Sequence, residues 1–119
     1  MLLEDYGISV DPAKHFFAST SKQVYLVSPH YMSIHELLYV EKIGVPVLKR
    51  HNDTELHPLH GLGTMLGSLA NKNTIQLTAK ECQRYSDGYD LDTDATITTK
   101  NKYAILKRER YGFSVGKVV

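Results

Sequence analysis

The stretch Lys102-Tyr103-Ala104-Ile105-Leu106-Lys107-Arg108-Glu109-Arg110-Tyr111-Gly112-Phe113-Ser114-Val115-Gly116-Lys117-Val118-Val119 decides the fold. Residues 102–107 and 113–119 are rich in branched and aromatic side chains, and each reads as a strand. Glu109-Arg110-Tyr111-Gly112 supplies a polar, glycine-containing turn between them. The same stretch is basic. Between Lys100 and Lys117 there are six lysines and arginines and one acid, Glu109, a local charge of +5 on a chain whose net charge is +1. The rest of the chain carries eight basic and twelve acidic side chains. A concentrated basic segment on a near-neutral chain suits a nucleic-acid contact surface. A lysine-rich sheet edge that resists strand addition has the same composition.

N-terminal to this hairpin, Thr78 and Glu81 stand at capping-box spacing. The hydroxyl accepts from the backbone of Glu81, and the carboxylate reaches back to the cap. Leu77 is placed to staple the cap, and Gly88 offers a left-handed stop. Further back, Leu59, Leu62, Leu66 and Leu69 recur at helical spacing behind Pro58, a residue tolerated in a first helical turn. Gly61, Gly63 and Gly67 lower the helix propensity of that segment and admit another backbone at close range. Residues 43–48 read as a strand. Pro46 lacks an N–H, so this strand belongs at an edge or carries a bulge. Residues 14–28 read as a hairpin turning at Ser19-Thr20-Ser21-Lys22. Residues 31–39 read as a short helical turn. The expected organisation is an N-terminal hairpin and short helix (1–40) packed on an α+β domain (41–119).

The chain has 119 residues, 42% of them hydrophobic and 23% charged. That composition fits one globular domain and excludes default disorder. No apolar run reaches the ~18 residues of a membrane helix, and the first residues lack the basic flank and apolar core of a secretory signal. Cys82, the single cysteine, has no internal partner, so a reducing, cytoplasmic setting is expected.

Catalytic motifs fail on inspection. Asp90, Asp92 and Asp94 alternate like a calcium loop, yet the sixth and twelfth positions are Ala95 and Asn101 rather than glycine and glutamate. His51, His57 and His60 cluster, but zinc wants three or four ligands and Cys82 is distant in sequence. A helix-capping or phosphate-meeting histidine is the preferred reading. Cys82 reads as a small core residue of its helix. Neither Walker loop, serine elbow nor dinucleotide fingerprint is present. No catalytic residue, metal or cofactor is therefore expected. A small enzyme built on His57, His60 and the 87–94 loop is the least favoured alternative. Tyr103 and Tyr111 lie among the basic residues, where a tyrosine can stack on an unpaired base while cations hold phosphate.

The order of these motifs carries a resemblance. Ile43-Gly44-Val45-Pro46-Val47-Leu48 precedes Leu56-His57-Pro58-Leu59-His60-Gly61-Leu62-Gly63. Ile75 to Tyr85 then follows, with Gly88-Tyr89-Asp90-Leu91 behind it, and Tyr111 to Val119 closes. Over roughly residues 14–119 this resembles the C-terminal PUA-like domain of bacterial ribosomal RNA cytosine-5 methyltransferases of the Sun (Fmu) family. Leu59 stands where that family has serine or alanine. Val115-Gly116-Lys117 keeps only the last glycine-lysine step, and Val119 stops short of the family's tail. Cys82 occupies the alanine position of the capped helix and does not match the family's nucleophile.

The resemblance implies a small mixed-sheet pseudobarrel with two short helices. It implies a non-catalytic module that holds structured ribosomal RNA for a methyltransferase domain in cis, where S-adenosylmethionine would bind. DNA and membrane are not expected partners. Lys107, Arg108, Arg110, Lys117 and Tyr111 are the expected RNA contacts, with Lys49, Arg50 and Arg84 secondary. His60 matches the family's helix histidine and is expected as a structural cap. The alternative is a protein-docking module using the glycine-rich helix of 58–70.

Overall fold

The computed structural model describes residues 2–12, 14–27, 44–52 and 54–119. Leu2–Tyr6 form a one-turn helix, α1, not anticipated from the sequence. It is held from outside itself: the carbonyl of Tyr6 accepts from the N–H groups of Asn71 and Lys72. Strands β1 (Phe16–Ser19) and β2 (Gln23–Val27) form the expected hairpin. Its turn is closed by the Thr20 hydroxyl, which accepts from the N–H groups of Lys22 and Gln23. Strands β3 (Val45–Asn52) and β4 (Glu55–Pro58) complete a four-stranded antiparallel sheet in the order β1-β2-β3-β4. The helical turn expected at 31–39 and the division expected at 40 lie outside the described residues. On either side of them, β2 and β3 are hydrogen-bonded neighbours in one sheet.

Pro46 sits on β3, an interior strand, which carries the expected bulge beside it: Val24 pairs with Leu48 and Tyr25 with Pro46, so Val47 of β3 is the extra residue. On the other side the β4 ladder ends at Leu48–Pro58, so Pro46 has no strand partner there. The chain leaves the sheet at Pro58 and starts α2 (His60–Leu66), followed by one turn of 3-10 helix (Gly67–Leu69). Pro58 is therefore the last residue of a strand rather than of a helix's first turn.

A second sheet holds β5 (Thr74–Gln76), β6 (Tyr103–Arg108) and β7 (Tyr111–Lys117). The β5 strand runs parallel to β6, and β6 pairs antiparallel with β7. Between β5 and β6 lies α3 (Ala79–Ser86), with the capping box realised in full. The Glu81 N–H donates to the Thr78 hydroxyl at 3.2 Å, and the Thr78 N–H donates to the Glu81 carboxylate at 2.9 Å. Gly88, at φ +91°, ends the helix as expected. The turn between β6 and β7 is tighter than expected. Arg108 pairs with Tyr111, leaving Glu109-Arg110 as a two-residue loop with Glu109 at φ +55°. Such loops match the twist of the strands they join.

The molecule is thus an α+β domain of two sheets and short helices. Its main core takes Tyr6 and Ile8 from the N-terminal segment, Val47 and Leu48 from β3, Leu62 and Leu66 from α2, and Ile105 from β6. Side chains alternate across a strand, so Leu106 faces the other way and packs with Leu77 and Cys82 under α3. The β6 strand is covered on both faces, and its residues Ala104, Ile105, Leu106 and Lys107 are all buried. The glycines of α2 permit this layering. A Cβ on Gly61 would meet the carbonyl oxygen of Pro46 at 2.4 Å, and one on Gly63 would meet that of Ser114 at 2.3 Å.

Candidate functional site

The double cover on β6 decides where the predicted cations go. Lys107 follows Ile105 on the same face, and only 9% of it is exposed. Its ammonium donates to the carbonyl of Ala70, at the end of the 3-10 turn, at 3.0 Å. Lys107 is therefore corrected from a surface contact to an internal strut. A run of cations in sequence does not reveal that one of them falls on a covered face. The other seven expected contacts (Lys49, Arg50, Arg84, Arg108, Arg110, Tyr111 and Lys117) are exposed.

These seven fall into groups rather than one patch. Arg108, Arg110 and Tyr111 cluster at the tip of the β6–β7 hairpin, with 57% of Tyr111 exposed. The Arg110 guanidinium donates to the Tyr111 hydroxyl at 3.0 Å and lies 5.1 Å from its ring centre. A shallow recess of about 300 Å³ is lined here by Arg108, Glu109, Tyr111, Gly112 and Phe113. Lys117 is at the other end of the hairpin, about 17 Å away at the usual rise of a strand. It faces Tyr103 across the ladder, its ammonium 5.9 Å from the ring centre. Arg84, on α3, lies 4.9 Å over the ring of Tyr89. Lys49 and Arg50 are on β3, where Lys49 pairs with His57 of β4.

Sequence reasoning missed what surrounds His57. The register slips between Arg50 and Asn52, and the ring of His51 stacks on that of His57 with centres 4.3 Å apart. His57 also meets the ring of Tyr103 at 5.3 Å, which joins the two sheets. The His57 Nε2 lies 2.9 Å from the Glu55 carboxylate. That hydrogen bond is the chief reason the Glu55 carboxyl titrates below the ordinary glutamate range. His60, grouped with His51 and His57 in sequence, is not with them. Its Nδ1 is 2.8 Å from the Ser114 hydroxyl, so it ties α2 to β7 instead of capping a helix. The N-cap of α2 is Leu59, which makes no side-chain cap bond. His57 and His60 thus face different partners and form no joint catalytic pair.

The glycine-rich helix is committed inside the chain. Gly61 lies against β3, and Gly63 and Gly67 lie against β7, where Gly112 is the matching small residue. Met65, 49% exposed, and Leu69, 43% exposed, are the large apolar residues this segment shows to solvent. Among the described residues, no helix is long and apolar enough to cross a membrane. The chain matches no protein-family model and no curated protein.

Proposed function

We propose that this chain is a non-catalytic RNA-binding domain that positions structured ribosomal RNA for a separate S-adenosylmethionine-dependent methyltransferase domain in the cytoplasm. In this reading the two sheets and α2 correspond to a PUA-like pseudobarrel, and the motif order from Ile43 to Val119 supports it. One observation carries the reading furthest. Arg84, Arg110 and Lys117 each lie within 6 Å of a tyrosine ring centre, on Tyr89, Tyr111 and Tyr103. A cation held on an aromatic face presents what unpaired RNA needs: a flat surface for a base and a charge for the neighbouring phosphate. Phosphate contacts of this kind set position and orientation and carry little sequence information.

The test is a titration against a fluorescent, structured ribosomal RNA fragment at low and physiological salt. Each cation that engages phosphate contributes roughly 0.7–0.9 to the slope of log K against log salt. Replacing Arg108, Arg110 and Lys117 together by alanine is expected to weaken binding and reduce that slope by about 2. Lys107→Met is the internal control. It should lower stability and leave the salt slope alone, because its ammonium is spent on Ala70. An unchanged slope in the triple variant would overturn the assignment.

A further inference from the structure

We propose that the β3–β4 hairpin carries a zinc site formed by His51, Glu55 and His57. Among the described residues, these three form the one group of histidine, cysteine and acidic side chains placed to share an ion, with one ligand atom from each lying within 4.8 Å of the other two. Tetrahedral zinc with bonds of about 2.0–2.2 Å spaces its ligand atoms by roughly 3.4 Å, so small side-chain rotations close the site. His51 is exposed and free to make the larger rotation, turning its ring out of the stack. Two imidazoles and a carboxylate are donors that suit zinc, and three protein ligands leave a fourth position for water.

The local structure favours this assignment in three ways. The backbone slip between Arg50 and Asn52 accompanies the stacking of His51 on His57. A plain alternation over 51–57 would not mark that meeting in the sequence. The hairpin end is built by Asn52, whose side-chain oxygen accepts from the N–H and hydroxyl of Thr54. The Asn52 amide also donates to the second Glu55 oxygen at 3.4 Å, an outer contact of the kind that orients a ligating carboxylate. Finally, the cleft beside Glu55, about 260 Å³, is lined by Glu4, Asp5 and Glu55 with Lys100 as its one cation. Within that cleft the balance favours a cation over a phosphate on the Glu55 side of the site, while Lys49 lies opposite His57 on the other. In the Glu55–His57 hydrogen bond a proton lies between two lone pairs, and zinc would take the proton's place.

The experiment is a zinc titration of the whole chain at neutral pH, read by competition with a chromophoric chelator. One zinc per chain is expected. His57→Ala and Glu55→Gln should each weaken the affinity at least tenfold, while His60→Ala should leave it unchanged. Far-UV circular dichroism of each variant separates lost ligation from lost folding, and Glu55→Gln preserves side-chain shape. Cobalt substitution adds a second readout. Visible bands without a thiolate charge-transfer band fit these ligands, whereas a thiolate band would assign the metal to Cys82 and overturn the proposal. Absence of saturable zinc binding, or equal loss in His60→Ala, would overturn it too. None of these readouts involves RNA, so the outcome is independent of the function proposed above.

Discussion

Tyr6 shows how much one side chain contributes here. It is fully buried, and its hydroxyl donates to the carbonyl of Tyr103 at 3.1 Å. Burial, more than any neighbouring charge, holds its phenol well above the ordinary tyrosine range, and Tyr85 is raised for the same reason. An unfolded phenol releases its proton near pH 10, while folded Tyr6 keeps it. Above pH 10 the unfolded state therefore binds fewer protons, and stability falls by up to ~1.4 kcal/mol per pH unit through Tyr6, with a smaller, solvent-screened contribution from the partly exposed Tyr85. Below pH 10 the contribution is complete. Tyr6→Phe is expected to flatten this alkaline limb, leaving the part due to Tyr85. Its cost at neutral pH should be about 0.5–1.5 kcal/mol, at the low end because Thr99 also donates to the Tyr103 carbonyl. Urea unfolding from pH 7 to 11 measures both effects, and an alkaline limb identical to that of the unsubstituted chain would contradict the account. Residues of this kind are hidden in a sequence. Tyr6 and Lys107 have ordinary neighbours along the chain, and their burial depends on partners at Tyr103 and Ala70.

Elements made by local chemistry were readable; those made by distant partners were not. The capping box of α3 needs only Thr78 and Glu81, and it forms as the spacing dictates. The β5 strand has three residues and exists by parallel pairing to Ile105, Leu106 and Lys107, about thirty positions away. The β4 strand was missed because Pro58 looked like a helix start. Gly112 looked like a turn glycine, yet it is a strand residue whose missing side chain admits α2: a Cβ there would meet the Gly63 carbonyl oxygen. The glycines of α2 were legible as sites of close approach, while the backbones approaching them were not. This leads to a contrast between two substitutions. Gly63→Ala places a methyl 2.3 Å from the Ser114 carbonyl oxygen and must push α2 off β7. It should cost about 1–3 kcal/mol or more, despite the better helix propensity of alanine. Gly88→Ala meets nothing within 4 Å and suffers only its φ of +91°, about 1–2 kcal/mol. Denaturant midpoints should therefore fall further for Gly63→Ala than for Gly88→Ala, since the Gly63 defect lies between layers. The reverse order of costs would mean that α2 can shift freely on β7.

At the scale of the whole molecule, the question is whether two sheets make two cooperative units. Their ladders are separate, which would allow independent melting. The core argues otherwise. Leu62 is fully buried in one cluster with Val47 and Leu48 of the first sheet and Ile105 of the second. His57 against Tyr103 adds a second contact between the sheets at the surface. Neither sheet can then lose its order without exposing apolar surface of the other. A chain of 119 residues buries about two thirds of its unfolded surface, so total stability is modest and a single large defect is felt throughout. Leu62→Ala removes the central side chain of this shared cluster and should cost about 2–5 kcal/mol. The melting temperature should drop by roughly 10–20 °C. The decisive feature is the shape of the transition. Far-UV circular dichroism reports backbone order, and tyrosine near-UV signals report Tyr6, Tyr85 and Tyr103 around both sheets. If α2 joins the layers, the two curves stay coincident in the variant, displaced together. Two separated transitions, with one sheet melting before the other, would show that α2 packs on both sheets without coupling them. In that case the exposed cations at the tip of β6–β7 would keep their arrangement after the first sheet had unfolded.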